Sequence, residues 1–169
     1  YTVDVARDGA EALDFLETIP QIDPERLFVR GTSQGGALGM AVSGLDARPK
    51  LALVNVPSNR NIEYRIEHRH GSFTSGNDYL RAYPDNLERV YETLSYFDTM
   101  NLADRIRATT FASVGLKDEV CPALCYAATF NRITAPKVLK VYPFNGHEGG
   151  QSLHRQRKLR FLKESGLLG

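Results

Sequence analysis

The sequence predicts an α/β fold with a mostly parallel sheet flanked by helices, and three observations predict it. Four short apolar runs, 27–29, 51–56, 110–114 and 138–142, read as strands. Segments with helical spacing of apolar residues precede or separate them. Three of the runs lead into glycine-containing turns that carry a serine, an aspartate and a histidine in that order. Reactive side chains just past strand C-termini lie on the edge of an open α/β sheet where ligands bind.

The elements follow in order. Ala6, Ala10, Leu13 and Leu16 share one helical face, so the chain opens on an amphipathic helix. Asp23-Pro24-Glu25 turns that helix into the first strand. Gly31-Thr32-Ser33-Gln34-Gly35-Gly36 comes directly behind Leu27-Phe28-Val29. It is a G-x-S-x-G turn between a strand and a helix, whose glycines let the chain reverse tightly and lift the Ser33 Oγ clear of the sheet. Residues 57–97 then separate two strands by far more than an ordinary connection. They hold Tyr64, Arg65, Tyr79, Arg81 and Tyr83, then a helical pattern in Leu87, Val90 and Leu94. This insertion reads either as a cap-like excursion whose Tyr and Arg border a substrate pocket or subunit contact, or as plain packed structure. Asp98 is expected to cap the helical stretch that follows it. The strand 110–114 runs into Gly115-Leu116-Lys117-Asp118-Glu119, and the strand 138–142 runs into Asn145-Gly146-His147-Glu148-Gly149-Gly150. There the glycines let the loop turn into a last helix, and Glu148 is expected to favour that helix's N-terminus. The helix, 152–165, takes its apolar side from Leu153, Leu159 and Leu162, with Gly166 as C-cap.

Ser33, Asp118 and His147 have the chain order of an α/β-hydrolase triad. A neutral serine hydroxyl is a weak nucleophile, so His147 would take its proton on attack and return it to the leaving group. Asp118 would hold the imidazole tautomer and stabilise the imidazolium. The backbone N–H of Gln34, first after the serine, is the expected first oxyanion donor. Glu119 competes for the acid role, although neighbouring loop residues rarely point the same way. His68 and His70 are two apart, which is not one helix face, and read as solvated surface histidines. His154 falls inside the final helix, where a triad histidine does not belong.

Composition excludes several function classes. A net charge of +1 supplies no field for nucleic acid or an anionic membrane. No apolar run approaches the length of a membrane span. The last helix is rich in Arg155, Arg157, Lys158, Arg160 and Lys163, which in a nearly neutral chain reads as a solvated face. Cys121 and Cys125 lack the spacing of a zinc site and read as buried free thiols, consistent with a reducing cytosol. Neither a metal nor an organic cofactor is expected.

Three blocks carry a family resemblance: Gly31-Thr32-Ser33-Gln34-Gly35-Gly36, Gly115-Leu116-Lys117-Asp118-Glu119-Val120-Cys121-Pro122, and Tyr142-Pro143-Phe144-Asn145-Gly146-His147-Glu148-Gly149-Gly150. The stretch Tyr96-Phe97-Asp98-Thr99-Met100-Asn101-Leu102-Ala103-Asp104-Arg105-Ile106 adds to it. Together they resemble carbohydrate esterase family seven, the acetyl xylan esterases and cephalosporin-C deacetylases of the α/β-hydrolase superfamily. The resemblance implies serine-dependent removal of acetyl groups from acetylated xylo-oligosaccharides or related small esters, with Ser33, Asp118 and His147 matching the family's triad. It also implies a cytoplasmic homo-oligomer, commonly a hexamer. Two departures are Thr32, where members often carry glycine, and Ala123, where they often carry proline. Thr32 puts a β-branch at a turn expected to be crowded.

The chain opens at Tyr1 without Met and shows no strand before that of Ser33. Residues 1–169 are therefore expected to form one partial α/β-hydrolase domain, the C-terminal half of a longer protein. The expected first half would hold the second oxyanion donor, a tyrosine N–H in the family, and part of the acetyl pocket. Its removal would leave the Ser33 strand as a sheet edge. Two other readings share the fold: a serine peptidase of the prolyl-oligopeptidase type, and a non-catalytic hydrolase-fold binding module.

Overall fold

A computed structural model of the chain describes residues 2–167. Its frame is four parallel strands in the order β1-β2-β3-β4, namely β1 (Phe28–Thr32), β2 (Leu51–Asn55), β3 (Thr109–Gly115) and β4 (Lys137–Tyr142). The register sets Thr32 beside Asn55, Asn55 beside Ser113, and Gly115 beside Tyr142. The three loops that leave β1, β3 and β4 therefore start from one edge of the sheet. β1 is an outer strand of this sheet, with Phe28, Arg30 and Thr32 exposed.

Seven helices among the described residues surround the sheet: α1 (Thr2–Glu17), α2 (Gln34–Leu45), α3 (Ile62–Glu67), α4 (Thr74–Ala82), α5 (Leu87–Ser95), α6 (Ala123–Arg132) and α7 (Gln151–Glu164). Side chains alternate across a strand, so β2 feeds two cores. Ala52 and Val54 join Met40 of α2 and Tyr126 of α6 on one face. Leu51 and Leu53 join Phe111 and Leu162 of α7 on the other. Full burial of side chains such as Leu53 and Met40 contributes about 1.5–3 kcal/mol each. α1 lays Leu13 against Leu27 and Val42, so the amphipathic face read from the sequence is the packed one.

Residues 57–97 form α3, α4 and α5 joined by short 3-10 turns. The excursion is closed at its base by Asp98. That carboxylate accepts the N–H of Met100 at 2.8 Å, making it the expected cap, and also those of Asn61 at 3.0 Å and Ile62 at 2.7 Å. Burial pushes the Asp98 carboxyl up, against the three N–H donors that favour its ionised form.

Three local expectations are corrected. The buried stripe of α7 is His154, Lys158 and Leu162, spaced i, i+4, i+8, whereas Leu153 and Leu159 are half exposed. A polar network beneath the helix, described below, takes the place that apolarity alone would assign to leucine. The Glu148 carboxylate is engaged inside its own loop, not in a bond to the first turn of α7: it accepts from Asn145 Nδ2 at 2.8 Å and Gly146 N–H at 3.0 Å. Thr32 is exposed at the end of β1 and not crowded. Gly166 has φ 74 just past α7, as a C-terminal glycine should. No helix among the described residues is long and apolar enough to cross a membrane.

Candidate active site

The turn from β1 into α2 holds Ser33 at φ 54, ψ −119, a region a non-glycine residue occupies only when its surroundings force it. Three backbone bonds do so. Ser33 N–H donates to Asn55 O at 3.0 Å, and Ser33 O accepts from Ala37 and Ser58 N–H at 3.0 Å each. Gly31 makes the turn sterically feasible, since a Cβ there would lie 2.0 Å from the Gly35 carbonyl oxygen. Serine at a helix N-cap ordinarily accepts a bond from the first turn. Here the side chain makes no cap bond, and its Oγ faces His147 instead.

Ser33 Oγ and His147 Nε2 are 2.9 Å apart, and His147 Nδ1 and Asp118 Oδ2 are 2.9 Å apart. An ionised carboxylate can only accept, so Nδ1 carries the proton and Nε2 accepts from the serine hydroxyl. The Asp118 side chain is fully shielded from solvent, while that of His147 keeps about a third of its surface exposed. The other Asp118 oxygen accepts Val120 N–H at 3.0 Å and Cys121 N–H at 2.7 Å, so the carboxylate is held on both sides. Glu119 is exposed and does not reach the imidazole. Gln34, the first residue of α2, offers an N–H that has no acceptor within the helix and sits at the positive end of its dipole. The arrangement can deprotonate the serine hydroxyl, hold the resulting imidazolium against a carboxylate and offer a donor to a developing oxyanion.

Arg65, in the excursion read either as bordering a pocket or subunit contact or as plain packed structure, serves the acid loop together with Arg60. Arg60 and Arg65 are fully buried. Arg60 Nη2 donates to Cys121 O at 3.1 Å, and Arg65 Nη2 donates to Val120 O at 2.7 Å. Arg60 lies over Tyr126 and Arg65 over Phe73. Cys121 and Cys125 are buried free thiols, both pushed up by burial. His68 is exposed, stacks on Tyr64 at 3.9 Å and takes no part in the site. Among the described residues no group of three or more His, Cys, Asp or Glu could hold a metal.

Sequence reading missed the layer below. Asn55, at the end of an apolar strand, has its Oδ1 3.1 Å from both His154 Nε2 and Lys158 Nζ. His154 Nδ1 is 3.1 Å from Tyr142 Oη, and that oxygen accepts from Arg157 Nη1 at 3.2 Å. The only available signal was a lone Asn closing Leu51-Ala52-Leu53-Val54, together with the i, i+4 pair His154 and Lys158. Burial, then Lys158 and Arg157, hold the His154 imidazole down to about 4. An unfolded histidine titrates near 6.5, so between these values the unfolded state binds more protons. His154 thus contributes stability that is complete above pH ~6.5 and lost as pH falls through ~4, at most about 3 kcal/mol. Urea midpoints measured from pH 7.5 to 4 should fall across that window, and less steeply in His154→Gln.

A parallel sheet with a serine at the turn after one strand, and its histidine and acid past two others, defines the α/β-hydrolase class. The profile of the acetyl xylan esterase (AXE1) family matches residues 1–165. Acetyl esterase Axe7A of Xylanibacter ruminicola is 34% identical over 136 residues, covering 80% of this chain and 30% of that protein. The acetyl xylan esterase structure from Paenibacillus sp. R4 superposes with a TM-score of 0.89 at 38% identity, over 95% of this chain and 52% of that one. Acetyl xylan esterase 1 from Thermoanaerobacterium sp. JW/SL YS485 gives 0.83 at 30% identity, over 96% and 52%. The chain belongs to the acetyl xylan esterase family. It spans about half the length of these solved relatives.

Proposed function

We propose that the protein containing this chain is a serine esterase that removes acetyl groups from acetylated xylo-oligosaccharides or related small acetyl esters, cephalosporin C among them. The observation that carries this reading is the unbroken line from Ser33 Oγ through His147 to Asp118, with both bonds at 2.9 Å, in a chain of the acetyl xylan esterase family. Ser33 Oγ attacks the acetyl carbonyl carbon while its proton passes to His147 Nε2. The tetrahedral oxyanion takes a hydrogen bond from Gln34 N–H. Collapse breaks the bond to the sugar oxygen, which leaves with the proton from Nε2, and acetyl-Ser33 remains. Water, deprotonated by the same nitrogen, then releases acetate and restores the serine. Asp118 stays ionised throughout and stabilises the imidazolium twice per cycle.

Fluorophosphonate labelling with intact-mass detection tests this reading, followed by assay on acetylated xylo-oligosaccharides and a peptide arylamide. A single adduct that disappears in Ser33→Ala, with acetate release favoured over arylamide cleavage, is the expected result. Preference for the arylamide would make the protein a peptidase. A folded protein with an unreactive Ser33 would make it a binding module.

A further inference from the structure

The Ser33–His147–Asp118 line leaves a second buried polar cluster without a task. It joins the ends of β2 and β4 to α7, directly below the loop that carries His147. Its hydrogen bonds have one consistent direction. Asn55 Oδ1 accepts from Lys158 Nζ and can only accept from the imidazole too, so His154 Nε2 carries the proton. His154 Nδ1 therefore accepts from Tyr142 Oη–H, whose oxygen accepts in turn from Arg157. His154 is completely buried, and Phe111 stacks against its ring at 5.4 Å.

Each end of this cluster reaches the site. Asn55 uses its side chain on His154 and its backbone oxygen on Ser33 N–H. Tyr142 is the last residue of β4, five positions before His147, and His154 lies seven positions after it. Gly150, at φ 94, lies flat on the Tyr142 ring, where a Cβ would meet ring carbons at 2.4 Å. The His147 loop is thus clamped at both feet by one imidazole, which is bonded to the same asparagine that holds the serine backbone. A buried polar cluster gains little net stability over apolar packing of that shape, but it fixes one geometry.

We propose that His154 is a positioning residue that sets the separation of Ser33 Oγ and His147 Nε2, an inference that rests on the serine-hydrolase reading above. The test uses His154→Leu, His154→Gln and Tyr142→Phe in the natural polypeptide that contains this chain. Reactive sites are counted by stoichiometric fluorophosphonate labelling, and turnover of p-nitrophenyl acetate is expressed per labelled Ser33. In His154→Leu, kcat per labelled site should fall about tenfold or more, because small misplacements of reacting groups cost rate steeply. KM should stay within about twofold, since the lost interaction is not one with substrate. His154→Gln, which retains a donor and an acceptor, should recover most of the rate, and Tyr142→Phe should fall between. In the crystal structure of the Leu variant, Oγ and Nε2 should separate beyond about 3.5 Å while the His147–Asp118 bond persists. A His154 that is only structural would lower the melting temperature and the number of labelled sites, yet leave kcat per labelled site and the Oγ–Nε2 distance at parental values. That result would overturn the inference. If His154→Leu does not fold, Tyr142→Phe supplies the same two readouts. A parent protein that takes no label on Ser33 would fail the serine-hydrolase reading, and the distance comparison would still decide the positioning claim.

Discussion

Replacing His147 by alanine is expected to lower kcat for an acetyl ester by about 10⁴- to 10⁶-fold, with KM nearly unchanged. In the proposed reaction the imidazole acts twice, as base toward Ser33 and as acid toward the departing alcohol, and its Nε2 lies 2.9 Å from the Ser33 hydroxyl. Such a loss corresponds to about 5–8 kcal/mol of transition-state stabilisation. Asp118→Asn should come close to it, because the Nδ1 proton would lose its ionised acceptor and the imidazole its preferred tautomer. Combining His147→Ala with Ser33→Ala should add little, since the two act as one unit. Steady-state kinetics of the single and double variants check this. Loss by addition of the two single effects would break the serine mechanism.

Gly31→Ala is expected to cost about 3–5 kcal/mol of stability or to prevent folding, the range of a severe steric conflict in a packed backbone. The new methyl carbon would stand 2.0 Å from Gly35 O and 2.6 Å from Gly36 N, and backbone cannot rotate away as a flexible side chain would. The neighbouring test is Gly35→Ala, where a Cβ meets nothing within 4 Å. Gly35 lies in the first turn of α2, so alanine there should keep stability or raise it by up to about 1 kcal/mol. Urea midpoints of the two variants should therefore move in opposite directions, although both change a glycine of one six-residue motif.

Much of the site was legible because its residues are local to recognisable signals. Four apolar runs located the strands to within a few residues, and the turns after three of them contained the serine, the acid and the histidine that the structure joins. Asp98 was readable as a cap because an Asp before a helical stretch has a short-range partner. The residues that were not legible bond across long sequence separations. Asn55 meets His154 across 99 positions, and Arg60 reaches the acid loop across 61. The α7 face was misread for the same reason. Leucines at helical spacing looked like the buried side, while the groups that make a histidine and a lysine welcome there come from β2 and β4.

Arg60 and Arg65 give the long excursion a second meaning. They stand at its start, and their guanidinium groups hold the carbonyls of Cys121 and Val120, the two residues whose N–H groups hold Asp118. An insertion or shift within 57–66 is therefore felt at the carboxylate. A lineage that remodels this segment to admit a different ester must keep those two anchors in place, so diversification has more freedom in α4 and α5 than in the first turn of the excursion.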